Sequence, residues 1–201
     1  MPQPFYLFVG CVYAVIAVAK RHRIVGAEHL PQSGFVLGAN HISNLDPFAI
    51  AWAVFPRRQL RFMAKAELFN PWLSWAMRGV GAFPVRRGEA DADALRTALT
   101  LLRNGGIIAM FPEGTRRQSG RKKKFMPEPH AGTARIALNA GVPLIPVGIV
   151  GTDRLLGWKR IGVAYGPPIV VDDLTGMSRK RAAEVATERL MAAIESLVAV
   201  L

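Results

Sequence analysis

The sequence predicts an α/β domain, a mixed, mostly parallel sheet flanked by helices, with an N-terminal membrane-associating helix ahead of it. Two patterns carry this. From about residue 24 onward, short apolar runs alternate with segments of helical spacing. The apolar runs are continuous, as strands covered on both faces are. With 201 residues, 51% of them hydrophobic, the chain can build one sizeable core. The expected organisation is a membrane-associating segment over residues 1–23 and a single domain over residues 24–201.

Residues 5–19, FYLFVGCVYAVIAVA, are apolar without a break. As a helix they rise about 22 Å, short of the ~30 Å hydrocarbon core of a bilayer. KRHR follows, and no basic residue precedes, the reverse of a cleaved signal peptide. Two readings stand: a helix dipping into one leaflet with KRHR at the headgroups, and a buried core helix. Residues 34–40, GFVLGAN, then read as a buried strand. LDPFAIAWAVF has helical spacing, with Pro47 tolerated in a first turn. Residues 59–65 and 81–85 read as strands around a short helix over 71–79. Residues 89–106 give a helix with acids at its start, a Leu95, Leu99, Leu102 stripe and Gly105 at its end. IIAMF is a buried strand and residues 117–130 a long basic loop. A helix stopped at Gly141, the strands PLIPVGIV and RIGVAYG, and a long amphipathic helix from residue 178 complete the chain. That last helix carries basic residues in its first turn, against the macrodipole.

The formal net charge of +12 calls for an anionic partner: nucleic acid, an acidic membrane face or a phosphorylated substrate. A lone cysteine, Cys11, excludes an internal disulfide. In open α/β sheets chemistry gathers where strands end and helices begin. Two such points stand out, NHISNLDP and FPEGTRR.

In the first, His41 precedes Asp46 by five positions. A neutral imidazole takes a proton from an alcohol near neutral pH, and a carboxylate fixes its tautomer and stabilises the imidazolium. Pro47 favours a turn that brings the two together. With four histidines the spacing also arises by chance in about one chain in five, so the pair alone decides nothing. Ser43 suits a cap better than a nucleophile, and no G-x-S-x-G elbow exists. His22, His29 and His130 are scattered, without metal-ligand spacing, and neither a Walker A motif nor a dinucleotide glycine fingerprint is present.

In the second, Glu113 and Gly114 directly follow an apolar strand, and Gly114 permits a sharp turn with exposed amides. Thr115 and Arg116 add a hydroxyl and a fork-shaped cation, a set suited to a phosphate monoester. An ordinary solvated turn is the competing reading. The basic run RRQSGRKKK, residues 116–124, reads as a solvated loop, an attractor of headgroup or CoA phosphates, or a nucleic-acid contact. It lacks the interleaved aromatics of RNA binders.

Four blocks in order, NHISNLDP, GAFPVRRG, FPEGTRR and VPLIPVGI, resemble the glycerolipid acyltransferase family, above all the bacterial lysophosphatidic acid acyltransferases. The likeness runs from about residue 34 to 168. It implies direct transfer from an acyl thioester, acyl-CoA or acyl carrier protein, to a lysophospholipid such as 1-acyl-glycerol-3-phosphate, giving phosphatidic acid. No cofactor or metal is implied beyond that co-substrate.

On the matching positions, the resemblance makes His41 the general base and Asp46 its orienting carboxylate. It ties Glu113, Gly114, Thr115 and Arg116 to acceptor binding, with Arg87, Arg86 beside it, and Lys65 near the acceptor phosphate. Residues 143–147 become structural or acyl-chain lining. The expected place is the cytoplasmic face of the cell membrane, peripheral or monotopic, against an anionic surface and without nucleic acid. PVRR stands where many members have an isoleucine and an acid before the arginine, which opens the acceptor to a glycolipid or lyso-aminolipid. A membrane-surface or nucleic-acid binding module without catalysis is the rival from another class.

Overall fold

Seven strands form one sheet: β1 (Arg23–Val25), β2 (Phe35–Ala39), β3 (Leu60–Lys65), β4 (Ala82–Val85), β5 (Ile107–Met110), β6 (Leu144–Val150) and β7 (Gly162–Tyr165). The computed structural model describes residues 2–86, 91–114, 129–153 and 160–201. The strand order is β1-β7-β6-β2-β5-β3-β4. Every pairing is parallel except β6 with β7. The mixed, mostly parallel sheet is therefore present as expected. Its connections explain the exception. A helix lies between each successive pair of strands from β2 to β6: α2 (Asp46–Ala51), α3 (Ser74–Gly79), α4 (Ala92–Arg103) and α5 (Gly132–Ala140). Such crossovers return the chain to run parallel. None of the described elements lies between β6 and β7, and the chain comes back antiparallel.

The strands alternate their side chains between two packed layers. Phe35, Leu37, Ile107, Ile145 and Val147 meet Tyr6, Tyr13 and Ala17 of α1 (Pro4–Ala19) and Ala49 and Ile50 of α2. Val36, Ile108 and Leu144 meet Ala98 and Leu102 of α4, Ile136 of α5, and Ala186, Leu190 and Ile194 of α6 (Arg179–Ala199). The second layer is close. A Cβ at Gly38 would stand 2.6 Å from Leu190, and one at Gly148 would stand 2.8 Å from Leu197. This contact holds α6 close against β2 and β6.

Local chemistry sets the helix ends. Asp91 caps α4 by accepting from the Ala94 amide, and Ser178 caps α6 by accepting from the Arg181 amide. The helix expected from residue 71 begins at Ser74 instead, because the Asn70 side chain takes the amides of Trp72 and Leu73 at 3.1 and 3.0 Å. The helix expected across residues 45–55 keeps helical form only to Ala51 and continues as turns. Strand β1, immediately after α1, had no counterpart in the sequence reading; it gains its ladder from β7.

The N-terminal helix is divided lengthwise. Tyr6, Tyr13 and Ala17 are buried against the sheet, while Phe8, Val12, Val15 and Val18 are 50–79% exposed. Among the described residues no helix is long and apolar enough to cross a membrane. Arg87, Thr115, Arg116 and the rest of the basic run to residue 124 lie outside the described residues.

Candidate active site

Strands β6, β2, β5, β3 and β4 run parallel, so their carboxyl ends share one edge of the sheet. At or just past those ends lie, in that order, Thr152, His41, Glu113, Lys65 and Arg86. At about 4.8 Å per strand, the axes of β3 and β4 lie about 10 and 14 Å from that of β2. His41, Glu113, Lys65 and Arg86, residues expected to act together, are thus gathered from four separate strand ends, and Thr152 joins them from a fifth.

His41 and Asp46 are in contact. Asp46 Oδ2 lies 2.7 Å from His41 Nδ1, and it also accepts from the amides of Ile42 and Ser43 at 2.7 and 2.8 Å. The carboxylate is fully buried, and the imidazole side chain is 15% exposed. The fold-back follows from the sequence: Asp46 begins α2, Pro47 occupies its first turn, and Ser43 Oγ accepts from the Leu45 amide at 3.2 Å. Ser43 therefore serves the turn, as its position suggested.

With the carboxylate on Nδ1, Nε2 is the ring nitrogen left for a proton exchange of the kind such pairs perform. The imidazole also stacks on Phe111, with centroids 4.0 Å apart and planes 19° from parallel. Asn40 fixes the end of β2, donating to the Ile149 carbonyl at 2.9 Å and accepting from its amide at 2.8 Å. The His41–Asp46 pair is thereby held from β6, β5 and α2 at once.

Behind the pair lies an apolar wall. Burial raises the Tyr13 hydroxyl well above the ordinary phenol range, with the charge of Asp46 adding to the effect. The Tyr13 hydroxyl and His22 Nδ1 lie 3.3 Å apart, and burial pushes the His22 imidazole down to about 4.

Glu113 is 2% exposed, in a turn where the Gly114 amide donates to the Phe111 carbonyl at 2.9 Å. Gly114 adopts φ +67°, a left-handed conformation that suits the sharp turn expected there, and His130 stands 3.0 Å from where a Cβ would be. Lys65, the last residue of β3 and paired with Val85, is exposed. Arg86 is exposed as well, and its amide donates to Asp91 Oδ2 at 2.8 Å. The amides of Ala94 and Arg86, and then the Arg86 guanidinium, hold the Asp91 carboxyl below the usual carboxylate range.

The structure thus joins His41 to Asp46, buries Glu113 in the same edge, and leaves Lys65 and Arg86 in water. Three residues at this edge went unassigned by sequence reasoning. Asn40 and Phe111 sit inside the two quoted motifs. Thr152 lies just beyond the fourth block, where no spacing rule points to it.

A protein-family model described as Acyltransferase matches residues 21–150, which hold all of these strand-end residues except Thr152. The chain belongs to the acyltransferase family. Relatives in that family carry one recurrent name. The 1-acyl-sn-glycerol-3-phosphate acyltransferase of Bacillus subtilis is 29% identical over 180 residues, covering 87% of each chain. That of Streptococcus pneumoniae is 34% identical over 149 residues, 72% of this chain and 53% of the other. A chloroplast enzyme of the same name from Brassica napus is 30% identical over 168 residues, 80% of this chain and 47% of the other.

The chain spans about half the length of the chloroplast relatives it matches. Among solved structures, the 1-acyl-sn-glycerophosphate acyltransferase of Thermotoga maritima superposes with a TM-score of 0.63 at 26% identity, over 96% of this chain and 87% of the other. The acyltransferase fold is therefore shared along nearly the whole length.

Proposed function

We propose that this protein transfers a fatty acyl group from an acyl thioester, acyl-CoA or acyl carrier protein, to the free hydroxyl of 1-acyl-glycerol-3-phosphate, giving phosphatidic acid. The observation that carries this is the buried His41–Asp46 contact at the edge that also holds Lys65 and Arg86. In the proposed reaction His41 Nε2 takes the proton of the acceptor hydroxyl as its oxygen attacks the thioester carbon. The tetrahedral adduct collapses, the carbon–sulfur bond breaks, and the imidazolium returns its proton to the departing thiolate.

Asp46 steadies the charged ring throughout, and holding hydroxyl and thioester side by side supplies much of the acceleration. The acceptor's phosphate is bound by Lys65 and Arg86, joined by Arg87, Thr115 and Arg116, with Glu113 and Gly114 shaping the turn beneath. A buried base beside exposed cations favours an acceptor whose hydroxyl sits a few bonds from an anionic group.

Residues 1–23 are, in this proposal, the membrane-associating segment, and residues 24–201 the acyltransferase domain. Support comes from the bare face of α1, from Trp72 and Trp75, 88% and 63% exposed, and from exposed Arg21 and Arg23 at the end of the helix. Phe5 of α1 meets Trp75 edge to face at 5.1 Å, so the two apolar groups adjoin. Tryptophan suits the headgroup level of a bilayer, and cations suit its anionic lipids. The site then works on lipids from a cytoplasmic membrane surface.

The deciding assay measures thiol release from acyl-CoA by purified protein with and without 1-acyl-glycerol-3-phosphate. Release that requires that acceptor is expected. Equal release with water alone, or release only with an acceptor lacking a phosphate, would reject the proposed acceptor.

A further inference from the structure

Asp46 takes three of its four hydrogen bonds from its own turn, all on one oxygen. Oδ2 serves His41, Ile42 and Ser43, while Oδ1 accepts from the Thr152 hydroxyl at 2.5 Å. Thr152 is 1% exposed and lies 106 residues away in sequence, on the chain leaving β6. Gly151 makes this reach possible. It adopts φ +80°, and a Cβ there would stand 2.0 Å from the Arg160 carbonyl oxygen, so the chain turns sharply and delivers Thr152 to the carboxylate.

We propose that Thr152 is a positioning residue of the catalytic dyad, pinning the plane of the Asp46 carboxylate so that Oδ2 stays directed at His41 Nδ1. The torsion that rotates a carboxylate is soft and nearly two-fold. Donors on one oxygen fix that oxygen's place, and a donor on the other fixes the plane. Asp46 is fully buried, so water does not stand in for a lost hydroxyl, and the carboxylate must turn to find another donor. Turning it weakens the bond to Nδ1 that sets the imidazole's tautomer and orientation. The Thr152 hydroxyl donates to Asp46, so it acts through Asp46. The same hydroxyl ties the end of β6 to the start of α2, so the pair is referenced to the middle of the sheet.

The kinetic consequence rests on the acyl-transfer reading; the geometric one does not. The experiment therefore has two readouts on the full chain. One is kcat and KM for acyl transfer to 1-acyl-glycerol-3-phosphate. The other is the downfield proton NMR line of the hydrogen between His41 Nδ1 and Asp46, which needs no substrate. Three variants are compared: Thr152→Ser, Thr152→Ala and Thr152→Val. Thr152→Ser and Thr152→Ala both lack the γ-methyl and differ by the hydroxyl, so this pair decides the matter even where Thr152→Val fails to fold.

Thr152→Ser is expected to keep the line and a kcat within about threefold of the parent. Thr152→Ala and Thr152→Val are expected to shift or lose the line and to lower kcat roughly 10- to 30-fold with KM unchanged, the scale of one charge-assisted hydrogen bond. An unaltered line and kcat in Thr152→Ala would overturn the proposal. So would a Thr152→Ser variant as impaired as Thr152→Ala, since packing of the methyl would then be the cause. A parent protein that shows the line yet transfers no acyl group would remove the acyl-transfer reading, while the line in the variants still decides the role of Thr152.

Discussion

Where β6 and β2 end, Asp46 is fully buried among four hydrogen-bond donors, whereas where β3 and β4 end, Lys65 and Arg86 stand in water. The two halves of one sheet edge are built on opposite principles. Moving a proton demands fixed atoms and a dry setting, because tenths of an ångström and local dielectric decide the barrier. Catching an anion demands reach and charge, and a flexible ammonium on a strand end offers both. The first half should therefore govern kcat and the second KM.

The largest effect is expected from the buried half. His41→Ala removes the proposed base and should lower kcat at least about 10²-fold, with the acceptor KM little changed. Asp46→Asn keeps the shape but offers Nδ1 an uncharged partner, and it should lose a comparable amount. Steady-state kinetics on proteins of matched thermal stability would check this. If KM rises while kcat holds in either variant, the division of the edge is wrong.

A smaller effect belongs to the exposed half. Lys65→Ala should raise the acceptor KM about 10- to 100-fold, the scale of a charge-assisted bond to phosphate, with kcat nearly intact. Because Lys65 is exposed, that contribution is screened by salt. Raising ionic strength should increase KM in the parent protein and much less in Lys65→Ala. A kcat loss without a KM change would move Lys65 to the other half.

The two halves also differ in how far the sequence discloses them. The dyad is local: five positions separate His41 from Asp46, and Pro47 announces the turn between them. Its bonds to the Ile42 and Ser43 amides follow from the same short segment. The parallel sheet was legible for a similar reason, since strands such as IIAMF and PLIPVGIV are apolar on both faces and helices separate them. Thr152 was not legible. Its bond to Asp46 spans 106 residues and depends on β6 lying beside β2, which periodicity does not encode. Strand β1 was missed because three residues carry no period and exist as a strand only by pairing with β7. The resemblance placed Lys65 beside the phosphate; its exposure is a product of the tertiary fold.

Helix α1 carries both characters in one element. Its Tyr6, Tyr13 and Ala17 belong to the buried half's apolar wall, while its Val12 and Val15 are 50% and 71% exposed. Deleting the helix would strip the core behind Asp46 and confuse the two roles. Substitution on the bare face alone separates them. Val12→Gln with Val15→Gln removes apolar surface that a bilayer would otherwise bury. The expected result is a roughly 5- to 10-fold fall in partition onto anionic liposomes, with kcat on a water-soluble short-chain acceptor unchanged, because neither valine touches the dyad. Equal liposome binding by the double variant would leave the bare face without a membrane role. A fall in kcat on the soluble acceptor would instead mean that the two faces of α1 are mechanically linked, and that the buried half depends on what the exposed side touches.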